Sequence, residues 1–225
     1  MTPEHVYIAD RHGMIGARSY GSTEFSTVTQ ADYDAPLETR ATTDGRLQIG
    51  VELRVVDDQD RDLGYGEPGE LLVRGPEQFV GYFDPRHDEG SFLPGGWFRT
   101  GDIGRLDERG YVTITDRKKD IIIRGGENIS SMEVENILLT HPSVAEAAVV
   151  ATPDERFGER VCAYVVPNPG AEVTLEALFR HCVAGGHAKH MAPERLELID
   201  ELPRTPTGKV RKHELRARLR QAPRT

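Results

Sequence analysis

The run Asp116-Arg117-Lys118-Lys119-Asp120 constrains this chain more than any other segment. Five consecutive charges do not pack into a core, because burying an unpaired charge is costly. The run is therefore expected to be an exposed connector between two apolar stretches, and the pattern changes across it. Residues 45–115 read as all β. Val51-Glu52-Leu53-Arg54-Val55-Val56 alternates apolar and polar side chains, and Glu70-Leu71-Leu72-Val73-Arg74 is bounded by Pro68-Gly69 and Gly75-Pro76. Tyr111-Val112-Thr113-Ile114 is entered through a Glu108-Arg109-Gly110 turn. A small sheet and a small barrel both satisfy this pattern.

Beyond the run, strands and helices are mixed. Strands are expected at 121–123, 144–150, 161–166 and 196–199. Helices are expected at 131–140 and 175–184, with a basic helix from about Lys212. Ser130 or Ser131 caps the first of these, and Gly125-Gly126-Glu127-Asn128 reads as a loop before it. Ahead of the β region, residues 3–13 have helical spacing ending at Gly13, and 14–19 read as a short strand. Residues 31–44 and 221–225 are polar and read as loop or tail. The expected fold class is α+β: a β-rich, barrel-like portion over 1–115, a hinge at 116–120 and a small α+β domain over 121–225.

Composition narrows the function classes. With 225 residues, 37% of them hydrophobic, the chain can build one or two cores. No apolar run approaches the ~20 residues that span a bilayer, so no integral membrane segment is expected. The start Met-Thr-Pro-Glu-His lacks a basic region followed by an apolar one, so no secretory signal is expected. Two cysteines, Cys162 and Cys182, give no disulfide framework and suit a reducing, cytoplasmic setting. A net charge of -9 argues against general nucleic-acid binding. Residues 204–225 nevertheless hold eight Lys and Arg against one Glu. A solvated basic helix end and a site for phosphates are both open there.

Two segments carry candidate chemistry. In Pro203-Arg204-Thr205-Pro206-Thr207-Gly208-Lys209, two prolines stiffen a loop and Gly208 permits tight geometry beside a lysine. Such a lysine can face a phosphate or carboxylate, or simply decorate a turn. It is not a Walker A loop, which needs a glycine where Pro203 stands. In Arg99-Thr100-Gly101-Asp102, a carboxylate follows a glycine at a strand entrance. It can accept two hydrogen bonds from a ribose diol, or satisfy local amides. His181, Cys182, His187 and His190 have spacings that match no closed zinc site.

Five segments, in order, resemble those of the adenylate-forming superfamily, which includes acyl-CoA synthetases, firefly luciferase and peptide-synthetase adenylation domains. They are Tyr20-Gly21-Ser22-Thr23-Glu24, Gly69-Glu70-Leu71 through Gly81-Tyr82, Arg99-Thr100-Gly101-Asp102, Arg117-Lys118-Lys119-Asp120 with Gly125-Gly126-Glu127-Asn128-Ile129-Ser130, and Pro203 to Lys209. The wording is most similar to acyl-CoA synthetases. Ser131-Met132 departs from the Pro-Ala pair common there. The Ser/Thr/Gly-rich phosphate loop of the family is absent, so the resemblance is to the C-terminal part.

The resemblance implies an enzyme that joins a carboxylic acid to ATP, releases pyrophosphate, and passes the acyl group to CoA with release of AMP. Tyr20 would lie against the adenine, with Gly21 among the cofactor-binding residues, Thr23 at the α-phosphate, and Glu24 at Mg²⁺. Asp102 would bind the ribose, supported by Arg117, with Ile114 lining the pocket. Lys209 would bridge the carboxylate and the α-phosphate. Lys119 matches the hinge, and the Gly126 loop would approach CoA. A separate chain carrying the phosphate loop is an expected partner. Two other readings stand: a non-catalytic AMP- or CoA-binding module, and part of a peptide-synthetase adenylation domain. Residues 1–30 are expected to be mobile or sticky, and 120–220 to fold as a self-contained unit.

Overall fold

A computed structural model describes residues 2–221 of the chain. They divide into two compact units, one ending at Lys118 and one beginning at Lys119. The division falls inside the charged run. Of the polar tail read at 221–225, residues 222–225 lie outside the described residues, and Gln221 ends a helix.

The first unit opens with α1 (Pro3–Arg11), whose proline occupies a first-turn position that needs no amide donor. The strand expected over 14–19 does not form. A strand needs a neighbour for its amides and carbonyls, and the first ladder begins only at β1 (Thr29–Gln30). Met14 and Ile15 are left exposed, while Val6, Phe25 and Val28 are fully buried.

The stretch 31–44 is not loop throughout. It contains α2 (Leu37–Thr42), which buries Thr39 and Ala41. Tertiary ties hold this helix: Tyr7 donates to Glu38 at 2.6 Å, and Arg40 reaches the Gly16 carbonyl at 2.6 Å and Asp10 at 3.2 Å. Six residues with a weak apolar stripe leave little signal in sequence, because packing rather than propensity makes such a helix.

A two-residue β2 (Arg46–Leu47) pairs with β1. The main sheet of this unit is antiparallel and uses β3 (Glu52–Val56), β4 (Gly69–Arg74), β5 (Phe92–Leu93), β6 (Trp97–Leu106) and β7 (Val112–Arg117). The order is β3-β4-β6-β5, with β7 also on β6. Among the described residues it is an open sheet rather than a closed barrel. β4 is buried from Gly69 to Val73, as a strand between two neighbours should be.

The charged run is only partly an exposed connector. Asp116 is the buried penultimate residue of β7, and Asp120 is buried at the start of the second unit. Each burial is offset locally. Asp116 accepts from the Arg117 amide at 2.6 Å, and Asp120 pairs with Arg216 within its own unit. Charge in the sequence signals exposure only where no partner, adjacent or distant, satisfies it.

The second unit begins with a hairpin, β8 (Ile122–Arg124) and β9 (Glu127–Ile129). The expected loop over 125–128 is thus a two-residue turn followed by a strand. Gly125 and Gly126 both have positive φ, +58° and +91°, which is the backbone a tight hairpin turn requires. Then come α3 (Ser131–Leu139), β10 (Val144–Asp154), β11 (Gly158–Pro167), α4 (Leu175–Ala184), β12 (Arg195–Leu198) and α5 (Lys212–Gln221). Ser130, not Ser131, caps α3, its hydroxyl accepting from the Glu133 amide at 3.0 Å. The sheet order is β10-β11-β8-β9, with β12 parallel to β11.

Both faces of this sheet are covered, which explains the apolar runs in β10 and β11. Val149, Val161, Ala163 and Val165 join one core with Val134, Leu138 and Leu178 from α3 and α4. Ala148, Val150, Cys162 and Tyr164 join a second with Leu202 and with Leu215 and Leu219 of α5. Cys162 and Cys182 are free and buried, and burial pushes the Cys162 thiol up to about 12.

Candidate functional site

In the first unit the chain from Tyr20 to Thr29 closes on itself. The Tyr20 carbonyl accepts from the amides of Val28 and Thr29, each at 3.0 Å, and its amide donates to Thr29 Oγ1 at 2.7 Å. Inside this closure the Ser22 hydroxyl accepts from the Phe25 amide at 3.1 Å, and the Ser22 amide donates to the Phe25 carbonyl at 2.8 Å. Gly21 is demanded by contact rather than by φ. A Cβ there would lie 2.1 Å from the Ser26 carbonyl oxygen.

Tyr20 turns its ring onto the apolar cluster built by Val55, Leu71 and Val112, where Ile114 also packs. Its hydroxyl donates to Asp102 Oδ2 at 2.5 Å. Asp102 sits in β6, only 4% exposed, directly across the ladder from Arg117 of β7. Arg117 Nε lies 3.1 Å from Asp102 Oδ1. Each carboxylate oxygen therefore has one donor from a distant segment. Asp102 is not a turn aspartate collecting local amides; its own amide donates to Thr100 Oγ1 at 3.1 Å. Burial, then the Asp102 charge, hold the Tyr20 hydroxyl well above the usual phenol range, so it remains a donor.

Thr23 is exposed at the tip of the closed loop. Glu24 is half-buried, and Tyr82 Oη lies 3.2 Å from its Oε1. The Glu24 carbonyl also accepts from the Phe79 amide at 2.9 Å, so the segment before Tyr82 and the loop are stitched together. Ile114 is set by Asp44, whose Oδ2 accepts the Ile114 amide at 2.8 Å while Oδ1 meets Arg18 at 2.6 Å.

Tyr82, Asp44 and Thr100 are supporting residues that the sequence reading gave no role. Tyr82 and Thr100 stand inside the quoted motifs, which was the available signal. Asp44 stands in a polar stretch and had none.

A second charged node lies in the same unit. Glu70 of β4, with a 5% exposed side chain, meets Arg99 at 2.9 Å and Lys118 at 3.0 Å. Lys118 also reaches Asp58 at 3.0 Å, and Arg99 reaches Asp60 at 2.6 Å. This fixes the last residue of the first unit. At the first residues of the second, Arg216 pairs with Asp120 and faces the Lys119 carbonyl at 3.3 Å. The Lys119 side chain between them is exposed.

The second unit places Gly126 at the exposed tip of the β8–β9 hairpin and Lys209 on an exposed turn between β12 and α5. No acidic side chain pairs with Lys209 among the described residues.

Comparison with known proteins bears out the family resemblance carried by the sequence motifs. Residues 8–83 match the family model described as AMP-binding enzyme, and residues 133–209 match that of the AMP-binding enzyme C-terminal domain. The chain is 49% identical over 199 residues to a medium-chain fatty-acid–CoA ligase of Escherichia coli (strain K12), covering 88% of this chain and 35% of the relative. It is 45% identical to the pyochelin synthase PchD of Pseudomonas aeruginosa, covering 84% and 35%. Among solved structures, o-succinylbenzoate CoA synthetase (MenE) from Bacillus subtilis, in complex with the acyl-adenylate intermediate OSB-AMP, superposes with a TM-score of 0.86. That match has 33% identity and covers 98% of this chain and 44% of the other. The chain thus spans less than half the length of these relatives. No helix among the described residues is long and apolar enough to cross a membrane. With the motifs, the fold and the family models in agreement, the chain belongs to the AMP-binding, adenylate-forming enzymes.

Proposed function

We propose that the chain carries the C-terminal part of an acyl-CoA synthetase. In the first half-reaction a carboxylate oxygen attacks the α-phosphorus of ATP and pyrophosphate leaves. In the second the CoA sulfur attacks the acyl carbon, its proton is lost to solvent, and AMP leaves. The single observation that carries this reading is the Tyr20–Asp102–Arg117 node. It holds a buried carboxylate at a sheet surface with each oxygen using one donor, and an ionised carboxylate has further lone pairs for a ribose diol.

On this reading Tyr20 and Gly21 border the adenine, Ile114 lines the nucleoside pocket, and Thr23 meets the α-phosphate. A magnesium ion arriving with the nucleotide keeps water and phosphate oxygens and needs few protein ligands, so the single carboxylate of Glu24 suits it. Lys209, exposed and without an acidic partner, offsets the repulsion between carboxylate and phosphate and stabilises charge developing at phosphorus. Gly126 serves CoA, and Lys119 is the hinge between the half-reactions. The phosphate loop comes from a further portion, on the same chain or a separate one.

A second reading has a specific observation behind it: PchD, a pyochelin synthase, is nearly as similar as the CoA ligase. In that case the acyl group passes to another acceptor. The experiment is AMP release by the folded chain given Mg²⁺-ATP, CoA and a panel of short, medium and aromatic acids. The same assay is run with the remaining portion of a family enzyme added. Release that needs both acid and CoA is expected. Acid-dependent pyrophosphate release indifferent to CoA favours the second reading. No nucleotide turnover in either format overturns both.

A further inference from the structure

We infer that Arg204 is a positioning residue for Lys209, fixing the turn on which that lysine is presented. The proposal rests on the role given to Lys209 above, but its test does not depend on it. The turn runs over residues 203–211. Thr205 accepts the Gly208 amide at 2.8 Å, and the Lys209 carbonyl accepts the Thr205 amide at 2.8 Å. Pro206 takes the second position, where its fixed φ costs nothing, and Gly208 follows at φ +85°. The hairpin is closed by a bridge between Arg204 and Val210 and by the Arg211 amide on the Pro203 carbonyl at 2.8 Å.

The weak point of such a turn is the peptide plane between Gly208 and Lys209. Glycine tolerates either sign of φ, so this plane can rotate, and the Lys209 side chain would then swing with it. Both ends of that plane are held. Its N–H donates to Thr205 Oγ1 at 3.1 Å, and its carbonyl accepts from Arg204 Nη1 at 2.7 Å. The same guanidinium uses Nη2 to meet Glu146 of β10 at 2.5 Å. Arg204 thus ties the lysine's peptide to the sheet through one planar fork. Its ion pair alone is half-exposed and adds little. The geometric restraint is what matters, and an ammonium cannot reproduce it, because it lacks the planar fork that serves both acceptors together. The stem of the hairpin and α5 have other anchors: Leu202 is buried, and Lys212 meets Glu135 at 2.7 Å and Ser131 at 2.8 Å.

The test is residue-resolved amide hydrogen exchange on the full chain, comparing wild type, Arg204→Ala and Arg204→Lys. Exchange at Gly208 and Lys209 is expected to rise roughly five- to tenfold in Arg204→Ala, with Leu215 of α5 and Val150 of β10 unchanged. Arg204→Lys is expected to give most of the same rise, which a lost charge alone would not. Unchanged exchange at Gly208 and Lys209, an equal rise at Leu215 and Val150, or full rescue by lysine would each overturn the proposal. Should Arg204→Ala fail to fold, Arg204→Lys decides by the same amides. Exchange needs no turnover, so a chain that makes no adenylate still answers the question, and failure of the functional reading stays separate.

Discussion

Tyr20 and Asp102, 82 residues apart, share a hydrogen bond of 2.5 Å. It joins the closed loop over 20–29 to the middle of the main sheet of the first unit, and Arg117 completes the carboxylate from the other side. Tyr20→Phe keeps the ring on its apolar cluster and removes the donor. A charged, buried acceptor losing a donor costs about 1–3 kcal/mol. The lone tryptophan, Trp97, lies in this unit. Its fluorescence during urea unfolding should show that loss for Tyr20→Phe, and an unchanged midpoint would count against the node as described.

Gly21→Ala should act on the same loop by a different cause. The new methyl would sit 2.1 Å from the Ser26 carbonyl oxygen, and backbone cannot move aside cheaply. A cost of about 1–3 kcal/mol is expected, as for overpacked sites. AMP affinity should fall with it. Wild-type stability together with wild-type nucleotide affinity would mean that the loop does not need its closure.

Much of this was legible in sequence, for identifiable reasons. β10 and β11 of the second unit have strong apolar runs because the sheet is covered on both faces, and α4 has bounds 175–184, as its periodicity indicates. The misreadings share one cause. The stretch over 14–19 looks like a strand but finds no partner. α2 looks like loop because Tyr7 and Arg40, not its own pattern, hold it. Asp120 looks exposed because Arg216, the distant cation that pairs with it, carries no signal that it will. Asp102 was legible as a candidate through its motif. Its two donors are supplied by the fold, and on residues alone a turn aspartate is the favoured reading.

The second unit should lose stability at alkaline pH. Burial pushes both the Cys162 thiol and the Tyr164 hydroxyl up to about 12, from ordinary values of 9.0 and 10.0. The unfolded chain therefore releases these protons first, and stability falls as pH rises through that window. It is complete below about 9 and declines toward about 12. Cys162→Ala should remove the earlier part of the decline and leave the later part, due to Tyr164. The check is the urea midpoint against pH by a probe in the second unit, such as the Leu215 amide. A slope identical in Cys162→Ala would contradict the assignment.

Arg216→Ala tests the second unit's hold on the chain beside Lys119. It leaves the buried Asp120 carboxylate without its cation, a change that costs about 3 kcal/mol when a buried pair is broken on one side. Replacing both residues, with Asp120→Ala added, should recover part of the loss, because no uncompensated charge remains. A double variant as unstable as Arg216→Ala would show that the lost packing of Arg216, not the stranded charge, sets the cost.

The most direct measurement of the central claim is AMP binding by the purified, folded chain, by titration calorimetry, for wild type, Asp102→Asn and Lys209→Ala. The account predicts saturable binding to the wild type and at least tenfold weaker binding to Asp102→Asn, which loses a charge-assisted contact to the ribose. Lys209→Ala should bind AMP nearly as well, since its proposed role is in joining the acid to the α-phosphate. Wild-type affinity in Asp102→Asn, or no AMP binding by a demonstrably folded chain, would contradict it.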